Sequence, residues 1–139
     1  MLYKFEPPVL GQLVKPTTFD NSTWPPTVAH VTYEFDSYRG QDVVATFPVV
    51  LVRSRLRDAL VAAGLTGLSF EPVAVTAADH YDDLSPDVAL PVDWLRMHLG
   101  AIGDDAWRGE PHGITVPDTF VEVVRQFGIV GSTLTPLRG

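Results

Sequence analysis

The sequence predicts an α+β fold, a single domain over residues 1–139 with one sheet and two helices packed on it. Three observations carry that expectation. The chain has 139 residues, 45% of them apolar and 19% charged, which is the size and composition of one domain with one core. Its first third alternates apolar and polar residues with period two between Pro-rich turns, as short strands do. A strand–helix–strand phrase then occurs twice in one register, over about 50–75 and again over 114–139.

The first element with a clear pattern is Val28–Phe35, in which Val28, His30, Thr32 and Glu34 alternate with Ala29, Val31, Tyr33 and Phe35. This reads as a strand with one apolar face. The preceding "NSTWPP" is a turn or an extended stretch, because each Pro fixes φ and constrains the residue before it. "SYRGQD" (37–42) is a second turn. "VVATFPVVLV" (43–52) is apolar enough for a strand or a buried connection.

In the first copy of the phrase, Ser54 is placed to cap a helix in which Leu56, Leu60 and Ala63 recur at helical spacing. Gly64 suits the left-handed position that ends a helix. Leu68, Phe70, Val73 and Val75 flank Pro72, so the strand that follows is an edge strand or is broken there. In the second copy, Ile114 and Val116 stand where Val50 and Val52 stood, and Asp118 takes the place of Ser54. Phe120, Val123, Val124 and Phe127 form the apolar stripe, Gly128 is the expected stop, and Gly131 and Pro136 match Gly67 and Pro72. A helix beginning one residue earlier would put Pro117 in its first turn, which it tolerates well.

Charge is unevenly spread. Residues 1–75 carry seven acids and six bases, and residues 111–139 carry two of each. Between Thr76 and Glu110 lie Asp79, Asp82, Asp83, Asp87, Asp93, Asp104, Asp105 and Glu110 against only Arg96 and Arg108, so this stretch holds nearly all of the net charge of −7. Such a segment argues against nucleic acid as a partner, since phosphates need the opposite sign. It suits a basic protein partner, whose approach it would steer, or serves as a solvated loop region.

Catalytic patterns are absent. None of His30, His80, His98 and His112 belongs to a His-Glu-x-x-His or His-x-x-x-His motif, and no Gly-x-Ser-x-Gly elbow or phosphate-cradling Gly loop occurs. "DHYDD" (79–83) lacks the Gly and terminal Glu of a calcium loop. With no cysteine, disulfides and thiolate zinc sites are excluded, and a cytoplasmic location is expected. "MLYKFEPPVL" has no signal-peptide core, and no apolar run approaches the ~18 residues of a membrane span. The expectation is a binding protein and not an enzyme, with no cofactor, no metal and no membrane contact. The alternatives are a small enzyme or ligand-binding domain with a His/Asp site near His80 and His112, or a general interaction module.

Among the aromatics, Trp24 sits before a Pro pair, and Trp94 lies in "PVDWLRMHL", a helical or extended segment with an apolar face. Trp107 and Tyr81 are flanked by carboxylates and are candidates to anchor a partner. The predicted contact set is Asp79, Tyr81, Asp82, Asp83, Asp104, Asp105 and Trp107.

The segment "VVLVRSRLRDALVAAGLTGLSFEPVAV" resembles one found in bacterial immunity proteins of polymorphic toxin systems, the double-CXXCG and related families. The match is clear over residues 49–75 and weaker over 114–137. The cysteine pairs of the double-CXXCG members are missing. The resemblance implies a small cytoplasmic protein that binds a cognate toxin domain and blocks it, and an acidic face over a basic active-site cleft is the means it suggests.

Overall fold

The computed structural model describes residues 1–23, 26–100, 105–108 and 113–137, with Trp107 and Arg108 described by their backbone. The chain opens with five short strands: β1 (Leu2–Glu6), β2 (Gly11–Val14), β3 (Thr18–Asp20), β4 (Thr27–Ala29) and β5 (Thr32–Phe35). The hairpin β6 (Val43–Thr46) and β7 (Val49–Arg53) leads into helix α1 (Ser54–Ala62) and strands β8 (Ser69–Pro72) and β9 (Ala74–Ala77). A one-turn helix α2 (Tyr81–Leu84) is followed by β10 (Trp94–His98) and β11 (Trp107–Arg108). The chain ends with β12 (Ile114–Pro117), α3 (Asp118–Val124) and β13 (Thr133–Pro136).

Two four-stranded sheets follow one plan, β6-β7-β10-β8 and β11-β12-β1-β13. In each, a strand runs into a helix and out to a second strand, and a middle strand fills the gap antiparallel to both. Leu95 of β10 lies opposite Val52 and Pro72, while Tyr3 of β1 lies opposite Val116 and Pro136. A shift of 64 positions carries Val52 onto Val116 and Pro72 onto Pro136. The repeated phrase is therefore a repeated structure, and β10 and β1 are equivalent strands drawn from different parts of the chain.

The match continues into the core. One cluster of buried side chains contains Val50 with Ile114, Val52 with Val116, Leu56 with Phe120, Leu60 with Val124 and Met97 with Phe5, each pair at equivalent stations. Phe5 and Phe120 pack at 5.7 Å between ring centroids with planes at 58°. Such tilted aromatic pairs stabilise beyond the area they bury.

The expected single sheet is replaced by several sheets, and three short helices stand among the described residues where two were expected. The reason lies in β7. Val49, Val50, Leu51 and Val52 are all buried, so both faces of that strand need a cover. Val50 and Val52 face the shared core, while Val49 and Leu51 meet a second cluster with Tyr33, Phe35, Tyr38, Tyr81 and Trp94. A three-stranded sheet, β2-β5-β9, helps to build that cluster, with β9 parallel to β5. In the second four-stranded sheet the stations of Leu51, Arg96 and Trp94 hold Thr115, Lys4 and Leu2, and the stem of Lys4 lies across Gly113.

Three local expectations change. Val28–Phe35 is two strands, because His30 adopts φ 55 and resets the alternation, so that Val28, Tyr33 and Phe35 are all buried. Ser54 and Asp118 are first helical residues and neither caps its helix; the residues at the caps are Arg53 and Pro117, without side-chain cap bonds. Ser54 Oγ instead donates to Asp93 Oδ2 at 2.6 Å, and Asp118 Oδ2 accepts from the Met1 amino group at 3.0 Å. The segment around Trp94, open between helix and strand in sequence, is strand β10.

The units are clasped through Asp42, which is fully buried and receives two hydrogen bonds from Arg55, at 2.6 and 2.8 Å. Its Oδ2 also accepts the Gly128 N–H at 2.6 Å, and its own N–H donates to the Gly128 carbonyl at 2.7 Å.

Candidate functional site

Among the described residues, the acids of the 76–110 stretch divide between separate places. Its first part folds into α2 and the turns beside it, seated on the second core. Ala78 donates its N–H to the Phe35 carbonyl at 2.9 Å, which ties the start of the turn to the end of β5. Tyr81 is buried, and its hydroxyl donates to the Val88 carbonyl at 3.0 Å. Ser85 is buried too: its Oγ accepts the Tyr38 N–H at 2.9 Å, and its N–H donates to the Tyr81 carbonyl at 2.8 Å. Sidewise, His80 Nε2 meets Asp36 Oδ1 at 2.8 Å. A one-turn helix is unstable alone. Here three buried residues, Ala78, Tyr81 and Ser85, fix its orientation.

What this leaves outside is a run of carboxylates. Asp79, Asp82, Asp83 and Asp87 are exposed, and none is within ion-pair distance of a basic group among the described residues. Between them two apolar side chains face solvent, Leu84 at 52% exposure and Val88 at 37%. On one side a recess of about 270 Å³ is lined by Leu84, Val130, Pro8, Leu10 and Arg39. On the other, an open depression is lined by Asp82, Pro86, Asp87 and Val88. The turn offers negative charge beside two exposed apolar side chains on a fixed scaffold.

Tyr81 was expected among the contacts, and the structure assigns it to the core instead. A ring in the second cluster has no surface to offer a partner. Burial pushes its phenol up from the ordinary value, with Tyr38 and Asp82 adding to the effect. A four-residue helix carries no periodic signal, so the burial of Tyr81 is set by its tertiary contacts with the second core and not by its neighbours in sequence.

Asp105 lies elsewhere. Its Oδ2 accepts the Thr66 N–H at 2.6 Å and the Thr66 hydroxyl at 3.1 Å, closing the "GLTGL" turn beyond α1. Its neighbour Ala106 is in the shared core, not in the cluster under α2. Asp104, Trp24 and His112 lie outside the described residues, as does the side chain of Trp107. The residues that sequence reasoning missed are Leu84 and Val88, single apolar positions in a polar run with no periodic signal to mark them.

Among the described residues no three His, Asp or Glu side chains converge as a metal ion would need, and no helix is long and apolar enough to cross a membrane. No family model and no curated protein matches this chain.

Proposed function

We propose that this chain binds a cognate secreted bacterial toxin domain and neutralises it by covering a basic cleft, with the α2 turn as the contact. The observation that carries the reading is the pre-set turn itself. Four exposed carboxylates, Asp79, Asp82, Asp83 and Asp87, share with exposed Leu84 and Val88 a short segment built around α2 and held from beneath by Tyr81 and Ser85. Carboxylates beside exposed apolar side chains complement a cleft that holds phosphates or nucleotides. The charges speed and orient the encounter, and Leu84 and Val88 supply apolar anchors. A scaffold ordered before binding leaves less conformational entropy to lose on association. The resemblance of residues 49–75 to immunity proteins supplies the class of partner. Inhibition by occlusion needs no catalytic group, in keeping with the absence of any nucleophile–base pattern in the sequence. Asp105, engaged by Thr66, is left out of the contact.

The reading expects a secreted protein with a toxin domain to be encoded beside this chain, and that domain is the partner in the test. The triple variant Asp82→Asn, Asp83→Asn, Asp87→Asn is expected to slow association by about tenfold at low salt and to leave dissociation nearly unchanged. The difference should vanish near 1 M salt, where the screening length falls to roughly 3 Å. Leu84→Ala is expected to act oppositely, raising the dissociation rate. An unchanged association rate together with unchanged protection from the toxin would refute the acidic contact.

A further inference from the structure

A second feature, separate from the α2 turn, is a cleft of about 400 Å³ where the sheets diverge. Its walls are residues 28–31, from β4 to the start of β5, and residues 71–74, from the end of β8 to the start of β9, and Arg96 and His98 of β10, the strand paired with β8, line it beside them.

Arg96 is the anomaly there. Its side chain is only 12% exposed, yet its one hydrogen bond among the described residues is from Nη1 to the Val28 carbonyl, at 2.7 Å. The Glu71 carboxylate stands 3.9 Å away, beyond hydrogen-bond reach, and its Oε1 is engaged by His98 Nε2 at 2.8 Å. A guanidinium has five N–H donors in a planar fork. A buried charge is costly when its counter-ion is distant and shared, as Glu71 is with His98. Burial pushes Arg96 below its ordinary value, and Glu71 offsets this only in part. At the lip, exposed His30 is held at φ 55, a left-handed conformation that a residue with a Cβ adopts at a cost. An under-satisfied cation and a strained residue thus meet at one cleft, whose wall is polar at His30, Glu71 and His98 and apolar at Val31, Pro72 and Val73.

We propose that this cleft binds a small aliphatic carboxylate, with its oxygens on the Arg96 guanidinium and its alkyl stem against the half-buried Val31 and Val73. The pairing matches fork to carboxylate, the geometry in which Arg binds most strongly. One permanent cation beside Glu71 suits a single negative charge and not the two of a phosphate. The volume is at the lower end of the range for small-molecule sites, which favours a short acid.

Butyrate is the probe, and butyramide, of the same shape without the charge, is its control. Titration followed by the backbone amide resonances of Val73, Ala74 and His98 should give saturable shifts with butyrate and about tenfold weaker binding of butyramide. Arg96→Lys keeps the charge but loses the fork and is expected to weaken butyrate by about tenfold. Glu71→Gln, an exposed change that leaves the strand pairing intact, removes the competing carboxylate and is expected to tighten butyrate several-fold. The proposal is overturned by the absence of saturable shifts in the unmodified protein, by equal response to the two probes, or by weaker binding in Glu71→Gln.

Discussion

Gly128 is glycine because of what lies against it. A Cβ at that position would stand 2.2 Å from the Gly40 carbonyl oxygen and 3.1 Å from Asp42 Oδ2. Backbone cannot swing aside as a flexible side chain can, so Gly128→Ala is expected to cost about 2 kcal/mol or more. It should also loosen the Asp42 clasp, and thermal unfolding beside the same substitution at Gly40, where a Cβ meets nothing within 4 Å, separates the clash from the left-handed strain at Gly40. In sequence, Gly64 and Gly128 read as equivalent helix stops. Gly64 does take φ 73 beyond α1, while Gly128 is spent on the close approach instead. The shared requirement for left-handed backbone falls on Gly67 and Gly131, at φ 82 and 86. Spacing revealed that both units turn with glycine, but which glycine meets which constraint depends on Gly40 and Asp42, far away in sequence.

At the scale of elements, the helix starts were misread for an instructive reason. Ser54 and Asp118 have the chemistry of caps, yet each reaches sideways to the residue before the middle strand, Asp93 in one unit and Met1 in the other. Those partners belong to the tertiary fold and leave no local trace. The Asp93 link has a pH consequence. Burial raises its pKa, but the hydrogen bonds from Ser54 and Arg53 and the Arg53 charge outweigh this, so its carboxyl lies below the ordinary 3.8. A group whose folded value is depressed stabilises the protein fully above its unfolded value and loses that contribution as pH falls through the folded one. Asp93→Asn is therefore expected to lower the melting temperature at neutral pH, and the gap to the unmodified protein should narrow as pH falls below 3.8. A gap that stays constant across that range would assign the loss to packing alone. The same scale explains the other elements. Apolar stripes on α1 and α3 were legible because they follow helical spacing, whereas α2 is too short to have a period and exists through Tyr81 and Ser85. Leu56→Ala and Phe120→Ala, at equivalent stations, are each expected to cost roughly 2–5 kcal/mol in denaturant unfolding.

For the whole molecule, the duplication was readable and its completion was not. Two copies of a phrase predict two copies of a unit, but nothing local says that β1 closes the second unit while β10 closes the first. Nor does it say that the doubly apolar β7 calls for a further sheet. The acidic segment was likewise read as one region, although its residues divide between the turn over the second core and the Thr66 loop. The topology has a direct consequence. β10 follows β8 along the chain, and the equivalent order in the second unit would be β13 followed by β1. The ends are already in place for this, since the Leu137 N–H donates to the Leu2 carbonyl at 2.8 Å. A circular permutant that joins the two ends of this chain with a short Gly/Ser linker, opened between Gly100 and Asp105, would make both units continuous. Every strand pairing described here would be kept, and the β13–β1 connection would become local. Shorter-range contacts lower the loop-closure entropy that folding must overcome before a strand pairs. The permutant is expected to fold to the same structure, with a refolding rate equal to or above that of the parent and a melting temperature within a few degrees of it. Stopped-flow refolding and circular dichroism check both. A permutant that refolds more slowly, or that loses the near-ultraviolet signal of the Tyr38–Trp94 cluster, would show that the second unit depends on β1 being made first.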